Sequence, residues 1–414
     1  MVAAAAATAS GAIPARGETL NALVLDGPVG VAWEDGVLAY VGGADGLPWD
    51  PTIGAPDRGL AVPGFVDCHV HLPFVGWRAD EFEARLAGAS YRDLHGEEGG
   101  IYRSSRLLAG ASDEEVLAFC VPLAREMAAH GTTAMELKTG YGLSADAELR
   151  QARLARALAD AVPQTCSVTL LACHAVPHGM ARDDWVRIAC DELIPAAAAE
   201  GIVDQIDIYV EDIAFSLEDL TRVAEAAASV RLPLRVHADQ LGPSGAAEAA
   251  VALGARSADH LNHLDDLGVS ALGASDATAA VLLPASTFFL RAPRPPVAAL
   301  RDAGAAMAIA TDFNPGTSPV CSMPEAIAMA CTLYGLEPLA ALTAATANPA
   351  WVLGLSDRLG TLHVGKRADV LLLEESSFAQ VPYRPGHDPV TVAVLGGDVV
   401  YDRPPGRVGS RPPD

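Results

Sequence analysis

Eight times along the chain, a short apolar run ends in polar residues and gives way to an Ala/Leu-rich stretch. The runs are "FVDCHVH" (65–71), "TTAMELKTGYG" (132–142), "VTLLACHAVP" (168–177), "VDQIDIYVED" (203–212), "LRVHADQ" (234–240), "SADHLNH" (257–263), "AVLLPAS" (280–286) and "MAIATDFNPG" (307–316). Stretches of helical period lie between them, such as "LSADAELRQARLARALADAV" (143–162) and "SLEDLTRVAEAAASV" (216–230), where Ser216 and Asp219 have capping-box spacing. Strand and helix alternating eight times predict an α/β chain whose residues 62–354 form a (β/α)8 TIM-type barrel. Two Val- and Leu-rich pieces flank it. "LNALVLDG" and "VGVAWEDGVLAYVGG" come before, the second broken by Asp-Gly as a hairpin is, and "GTLHVGKRADVLLLE" and "VTVAVLGGDVVYDR" come after. The expectation is one small β-sandwich domain built from both termini, residues 18–61 with 355–414. Residues 1–17, "MVAAAAATASGAIPARG", lack a basic n-region and a true apolar h-region, and are expected to be a disordered tail rather than a signal peptide.

In such a barrel the chemistry sits where the strands end. His69, His71, Lys138 to Tyr141, His174, Glu211, His237, Gln240, His260, His263, Asp312 and Asn314 all fall at those ends. His69 and His71 pose the sharpest question. In an extended run they share one face, about 7 Å apart along the chain, and two buried imidazoles on one face are costly unless something occupies them. Any one of these histidines could be satisfied separately by a carbonyl. Five of them, His69, His71, His174, His237 and His260, gathered at one rim are harder to explain that way. His69, His71, His237 and Asp312 offer three imidazoles and a carboxylate, a set suited to zinc or ferrous iron with a position left for water. Such an ion lowers the pKa of water from 15.7 to about 7, which points to hydrolysis at a polarised carbonyl or amidine.

The surface chemistry narrows the partners. Fifty-two acids against 28 bases give a net charge of −24, which repels phosphate backbones and anionic lipid, so no nucleic acid and no membrane partner is expected. No apolar run approaches the ~18 residues of a membrane helix. Seven scattered cysteines without C-x-x-C pairs fit reduced, mostly buried thiols in a cytoplasmic protein.

The ordered motifs "PGFVDCHVH", "HADQ", "TDFNPG" and "GTLHVGKRADVLLL" resemble the amidohydrolase superfamily. Within it, "HVHLPFVGWRADEFEARLAGASY", "GTTAMELKTGYGL", "CHAVP", "HADQL", "SADHLNHL", "LLPAS" and "TDFNPGTS" resemble the imidazolonepropionase family, over residues 60 to 375. The resemblance implies one Zn2+ or Fe ion per subunit and a small-molecule substrate, 4-imidazolone-5-propanoate. That ring is opened at its lactam C–N bond to N-formimidoyl-L-glutamate in histidine degradation. It also implies a homodimer. Residue by residue, it places the metal on His69, His71, His237 and Asp312. Substrate contacts fall on Arg78, Tyr91, Tyr141 and His174, with Asn314, Gly316 and Thr317 on the product side. Asp312, His260 and Gln240 become the catalytic and proton-transfer groups. Arg78 is a forked cation suited to the propionate, although beside Asp80 and Glu81 it could equally be a surface ion pair.

Three positions depart from the family pattern. Gln240 stands where some members carry a carboxylate and cannot act as a base, so base work falls to Asp312 or His260 while the Gln240 amide orients the ring. Asn262 and His263 follow "SADHL" where Glu is frequent, and of the two histidines His260 is taken as the proton shuttle. "FVGWR" carries Val75 and Trp77 ahead of Arg78, which could reshape the substrate cap. No lysine lies in "VDQIDIYVED", where binuclear relatives use a carboxylated one, so a single metal is expected. The rival activity is a deaminase or cyclic amidase acting on another heterocycle.

Overall fold

The computed structural model describes residues 1–89 and 99–403. Its first strands are β1 (Val2–Thr8), β2 (Leu23–Glu34), β3 (Val37–Gly43) and β4 (Leu60–Pro63). Eight follow: β5 (Phe65–Asp67), β6 (Thr132–Lys138), β7 (Thr165–Cys173), β8 (Gln205–Val210), β9 (Leu234–Ala238), β10 (Ser257–His260), β11 (Ala279–Leu282) and β12 (Met307–Ile309). The last three are β13 (Val370–Leu373), β14 (Val390–Leu395) and β15 (Asp398–Asp402).

Strands β5 to β12 pair in parallel and in chain order, one for each expected apolar run. The ring closes beyond the regular ladders, where Val70 bridges Phe313 and the His71 amide donates to the Phe313 carbonyl at 2.9 Å. The strands are covered on both faces, so their Val, Ile, Leu and Ala residues are buried without alternation. Serines cap intervening helices, and of these Ser216 is the one expected from the sequence. Ser144 Oγ accepts from the Ala147 amide, and Ser216 and Asp219 close a reciprocal capping box on helix Leu217–Ser229.

The remaining strands form a seven-stranded sheet, ordered β15-β14-β13-β4-β1-β2-β3, that draws on both ends of the chain. Its core includes Ala3, Ala6, Val29, Val31, Val370 and Val394. Asp35 and Gly36 turn the β2–β3 hairpin with φ of +49° and +77°, as a two-residue turn between right-twisted strands needs. The tail expectation was wrong. Residues 2–8 are β1, antiparallel to β2 and parallel to β4, with alanines that are almost all buried. An alanine run is poor in β-propensity, but between two strands and against a close-packed layer its small side chains are what fits. The seven cysteines are free thiols; Cys68, Cys120 and Cys173 are buried and the other four half-buried. No helix among the described residues is long and apolar enough to cross a membrane.

Gly64 is the pivot between the sheet and the barrel. Its amide donates to the Asp369 carbonyl at 3.0 Å, and a Cβ there would stand 2.0 Å from Thr133 Oγ1 on β6. Gly64→Ala therefore overpacks a buried seam and is expected to cost roughly 1–3 kcal/mol, read as a lower urea midpoint. A midpoint equal to that of the parent would show that the seam has room.

Candidate metal centre and substrate pocket

The closing seam sets the site. The chain leaving β5 stays extended through Val70, so His69 and His71 stand next to the residues leaving β12. His69 Nε2 and His71 Nε2 are 3.3 Å apart, and Asp312 Oδ1 lies 3.6 Å and 3.3 Å from them. A donor nitrogen of His237, from β9, completes a buried trio with His69 and His71, all within 4.8 Å of one another. Two donors that are each about 2.0–2.1 Å from one tetrahedral ion stand roughly 3.3 Å apart. The spacing of the two imidazoles fits that geometry.

Protonation fits it too. His69 donates through Nδ1 to Asp259 Oδ2 at 2.6 Å, which leaves the Nε2 lone pair facing His71. Burial pushes the His69 and His71 imidazoles below their usual range, His69 far below, so both are neutral. For Asp312, burial pushes the carboxyl up, but the His71 hydrogen bond and the neighbouring imidazoles outweigh it and hold the group ionised. Among the described residues neither ring nitrogen of His237 has a hydrogen-bond partner, although Nδ1 lies 3.0 Å from Asp207 Oδ2. Buried imidazole nitrogens with nothing to bond are what a cation resolves. These residues are fitted to hold a divalent ion.

His260 closes the centre, its ring 5.3 Å from that of His237 and 5.5 Å from that of His69. Burial lowers it to about 3, so it is a neutral imidazole at physiological pH. The backbone is strained here. His260, Leu261 and Asp312 take φ of +81°, +63° and +54°, left-handed values that cost non-glycine residues about 1–3 kcal/mol each.

Above the centre is a pocket lined by His71, Arg78, Ile101, Tyr141, His174, Tyr209, His237, Gln240, His260, Asp312, Asn314 and Thr317. Arg78 is only 3% exposed, and among the described residues its Nε and Nη1 have no hydrogen-bond partner; Glu81 Oε2 lies 3.8 Å from Nε. Arg78 is not at the surface, and of its two expected acid partners only Glu81 stands within ion-pair range. Asp80 pairs with Arg103 instead, and Glu81 Oε1 accepts from the Gly100 amide. An under-partnered guanidinium on a pocket wall has the donors that an anion would need. His174 stacks on His71 with centroids 5.3 Å apart, and its Nδ1 donates to the Gly140 carbonyl, leaving Nε2 as the acceptor nitrogen. Asn314 organises its own turn, accepting from Gly316 N, Thr317 N and Thr317 Oγ1.

Several sequence candidates stand elsewhere. Gly316 does not line the pocket but backs Arg78. Glu211 Oε1 accepts from the Gln240 and Leu241 amides at 2.6 and 2.9 Å, so it holds the loop that carries Gln240. Lys138 is wholly buried between Glu136 and Asp207. His263 faces an adjoining cavity of about 830 Å³ whose wall, apart from Gln240, shares no residue with the pocket. Asn262 Nδ2 donates to Thr287 Oγ1 and the Pro293 carbonyl. Val75 and Trp77 do not line the pocket, and Trp77 packs on Phe74, Phe119 and Phe313. Tyr91 lies outside the described residues. Two lining residues were missed. Tyr209 had a signal, because on β8 it alternates in phase with Glu211, whereas Ile101 comes from helix Gly100–Gly110, outside the strand pattern.

A closed (β/α)8 barrel with a His-x-His pair, two further histidines and an aspartate at its rim defines a metal-dependent hydrolase class. A family model described as "Amidohydrolase family" matches residues 60–400. Imidazolonepropionase from Rubrobacter xylanophilus is 43% identical over 409 residues, covering 97% of each chain, and the one from Cupriavidus pinatubonensis is 43% identical over 372 residues, 88% of each. Among solved structures, a triazine hydrolase variant aligns with a TM-score of 0.72 at 15% identity, over 97% of this chain and 94% of its own. A zinc-bound adenosine deaminase from Xanthomonas campestris aligns at 0.66 and 19% identity, over 96% and 92%. At those identities the solved structures speak for the fold alone. The chain belongs to the amidohydrolase family and, within it, to the imidazolonepropionase family.

A Cβ on Gly316 would fall 1.8 Å from Arg78 Nη2, and the Gly316 carbonyl accepts from Arg85 at 3.0 Å, so the backbone there is pinned. Gly316→Ala is expected to displace the Arg78 guanidinium. A crystal structure of the variant with Arg78 in its parent position would rule this out.

Proposed function

We propose that this chain hydrolyses 4-imidazolone-5-propanoate to N-formimidoyl-L-glutamate. The observation that carries the proposal is the juxtaposition, in one pocket, of a buried cation with free donors and a cluster built for a divalent ion. Few small heterocycles need both. Arg78 takes the propionate through parallel N–H donors, which anchors the ring at one end. Tyr141 and His174 hold its edge, Gln240 orients it through the amide, and Asn314 and Thr317 shape the far wall.

His69, His71, His237 and Asp312 are the residues that would hold one Zn2+ or Fe ion. Such an ion polarises the lactam carbonyl and makes hydroxide available at neutral pH. Asp312, kept ionised by His71, takes the proton of the attacking water and returns it to the ring nitrogen as the C–N bond breaks. The water oxygen stays on the carbonyl carbon and becomes the new carboxylate. His260, neutral at pH 7, can hand an N–H to the charge developing on that carbonyl oxygen. Gln240 has no proton to exchange, which leaves the base role to Asp312. On the same resemblance, we read the enzyme as a cytoplasmic homodimer.

The deciding experiment generates the unstable imidazolone in place from urocanate and urocanase, and follows its absorbance as this protein is added. Chelator-sensitive loss with formimidoyl-glutamate appearing is the expected result. No turnover, together with activity on an amino-substituted heterocycle, would move the assignment to a deaminase. Arg78→Ala should raise KM roughly 10- to 150-fold, because a charge-assisted contact is worth about 1.5–3 kcal/mol. An unchanged KM would remove Arg78 from the carboxylate.

A further inference from the structure

Beneath the proposed metal ligands, the barrel is filled with charge where branched apolar side chains are usual. From His69 Nδ1, a contact of 2.6 Å leads to Asp259 Oδ2, and another of 2.6 Å to Arg235 Nη2. Arg235 Nη1 lies 2.7 Å from Glu136 Oε1, which is 3.0 Å from Lys138 Nζ. Lys138 Nζ is 2.6 Å from Asp207 Oδ2, and Asp207 Oδ2 is 3.0 Å from His237 Nδ1. Acid and base alternate along this arc, which crosses β10, β9, β6 and β8 and ends on two of the three proposed imidazole ligands. The five charged side chains are fully buried. The arc is also fastened sideways. Arg235 donates to Ser257 Oγ at 2.8 Å and to the Cys68 carbonyl at 2.6 Å, and Thr169 Oγ1 donates to Glu136.

Stability alone does not account for it, since buried ion pairs seldom recover their desolvation cost against an apolar filling. We infer that Glu136, Lys138, Arg235, Asp207 and Asp259 form a positioning device that sets how tightly the site holds its metal. The inference rests on the metal reading of the site given above. Asp259 fixes His69 with its proton on Nδ1 and Nε2 aimed at the centre, whereas Asp207 lies against His237 Nδ1 at 3.0 Å as a charge contact short of a hydrogen bond, which turns into a full restraint when the ring donates to it. Glu136 is the keystone: it touches neither ligand, yet it sets the guanidinium that orients Asp259 and the ammonium that orients Asp207. Among the described residues no carboxylate stands against His71 Nδ1 as Asp259 and Asp207 do against His69 and His237, so the arc reaches those two ligands.

The test measures Zn2+ affinity of the full chain by chelator competition, with the absorption spectrum of the Co2+-loaded protein as a second readout. The parent is expected to bind one equivalent and His237→Ala none. Glu136→Gln is expected to stay folded, to bind Zn2+ about 10- to 100-fold more weakly, and to shift the Co2+ spectrum. If Glu136→Gln does not fold, Asp259→Asn is read in the same way. A parent that binds no metal overturns the metal reading and the arc together. A parent that binds, with Glu136→Gln less heat-stable but unchanged in Zn2+ affinity and Co2+ spectrum, overturns the arc alone.

Discussion

Closure of the barrel at Val70 and Phe313 is the contact on which the rest depends. It is a single bridge, extended by the His71 amide on the Phe313 carbonyl, and it joins residues far apart in the chain. Before the ring closes, His69 and His71 sit on one edge strand and Asp312 on the other. Once it closes they are within 3.6 Å. The proposed metal site is therefore also the seam, and a bound ion would staple the first strand to the last. A ligand that binds only the closed form stabilises it by mass action, so metal loading and barrel integrity should be linked.

Electrostatics explains why the seam tolerates its own composition. Neutral imidazoles, depressed by burial, avoid the repulsion that charged ones would meet at 3.3 Å. The acids below them are countered by Arg235 and Lys138, which are too deep to reach the pocket. Arg78 lies on the other side, almost as buried but under-partnered. Of these three buried cations, two are spent within the fold, and the third leaves Nε and Nη1 unpartnered at the pocket wall among the described residues.

The barrel was legible because eight runs carry both a burial signal and polar ends, and two independent periodicities agreed on each unit. His69, His71, His174, His237, His260 and Asp312 were legible for a related reason: position at a strand end is itself a spatial statement in this fold. What the pattern hid was the direction of side chains within strands. Glu136, Asp207, Arg235 and Asp259 sit among apolar neighbours, and only the register between strands shows that they meet. Lys138 is taken up by Glu136 two residues back on its own strand and by Asp207 on β8, and the second of these partners is one that spacing along the chain does not name. The β1 strand was hidden differently. Its alanines carry no alternation, and only the sheet that receives them makes them a strand.

The pair Glu211 and Gln240 shows how a rim position can keep an acid without using it for proton transfer. Glu211 is pushed up to about 7 by burial, a value that alone would mark it as a candidate base. Its Oε1 is taken up by two backbone amides of the Gln240 loop, and it does not line the pocket. The carboxylate shapes the loop, and the loop presents an amide that can orient a ring without exchanging a proton. Asp312 is then the one carboxylate among the lining residues, held ionised and next to the proposed ligands. Geometry rather than acidity separates the two carboxylates, because the one with the raised pKa does not line the pocket and the one that lines it is held ionised.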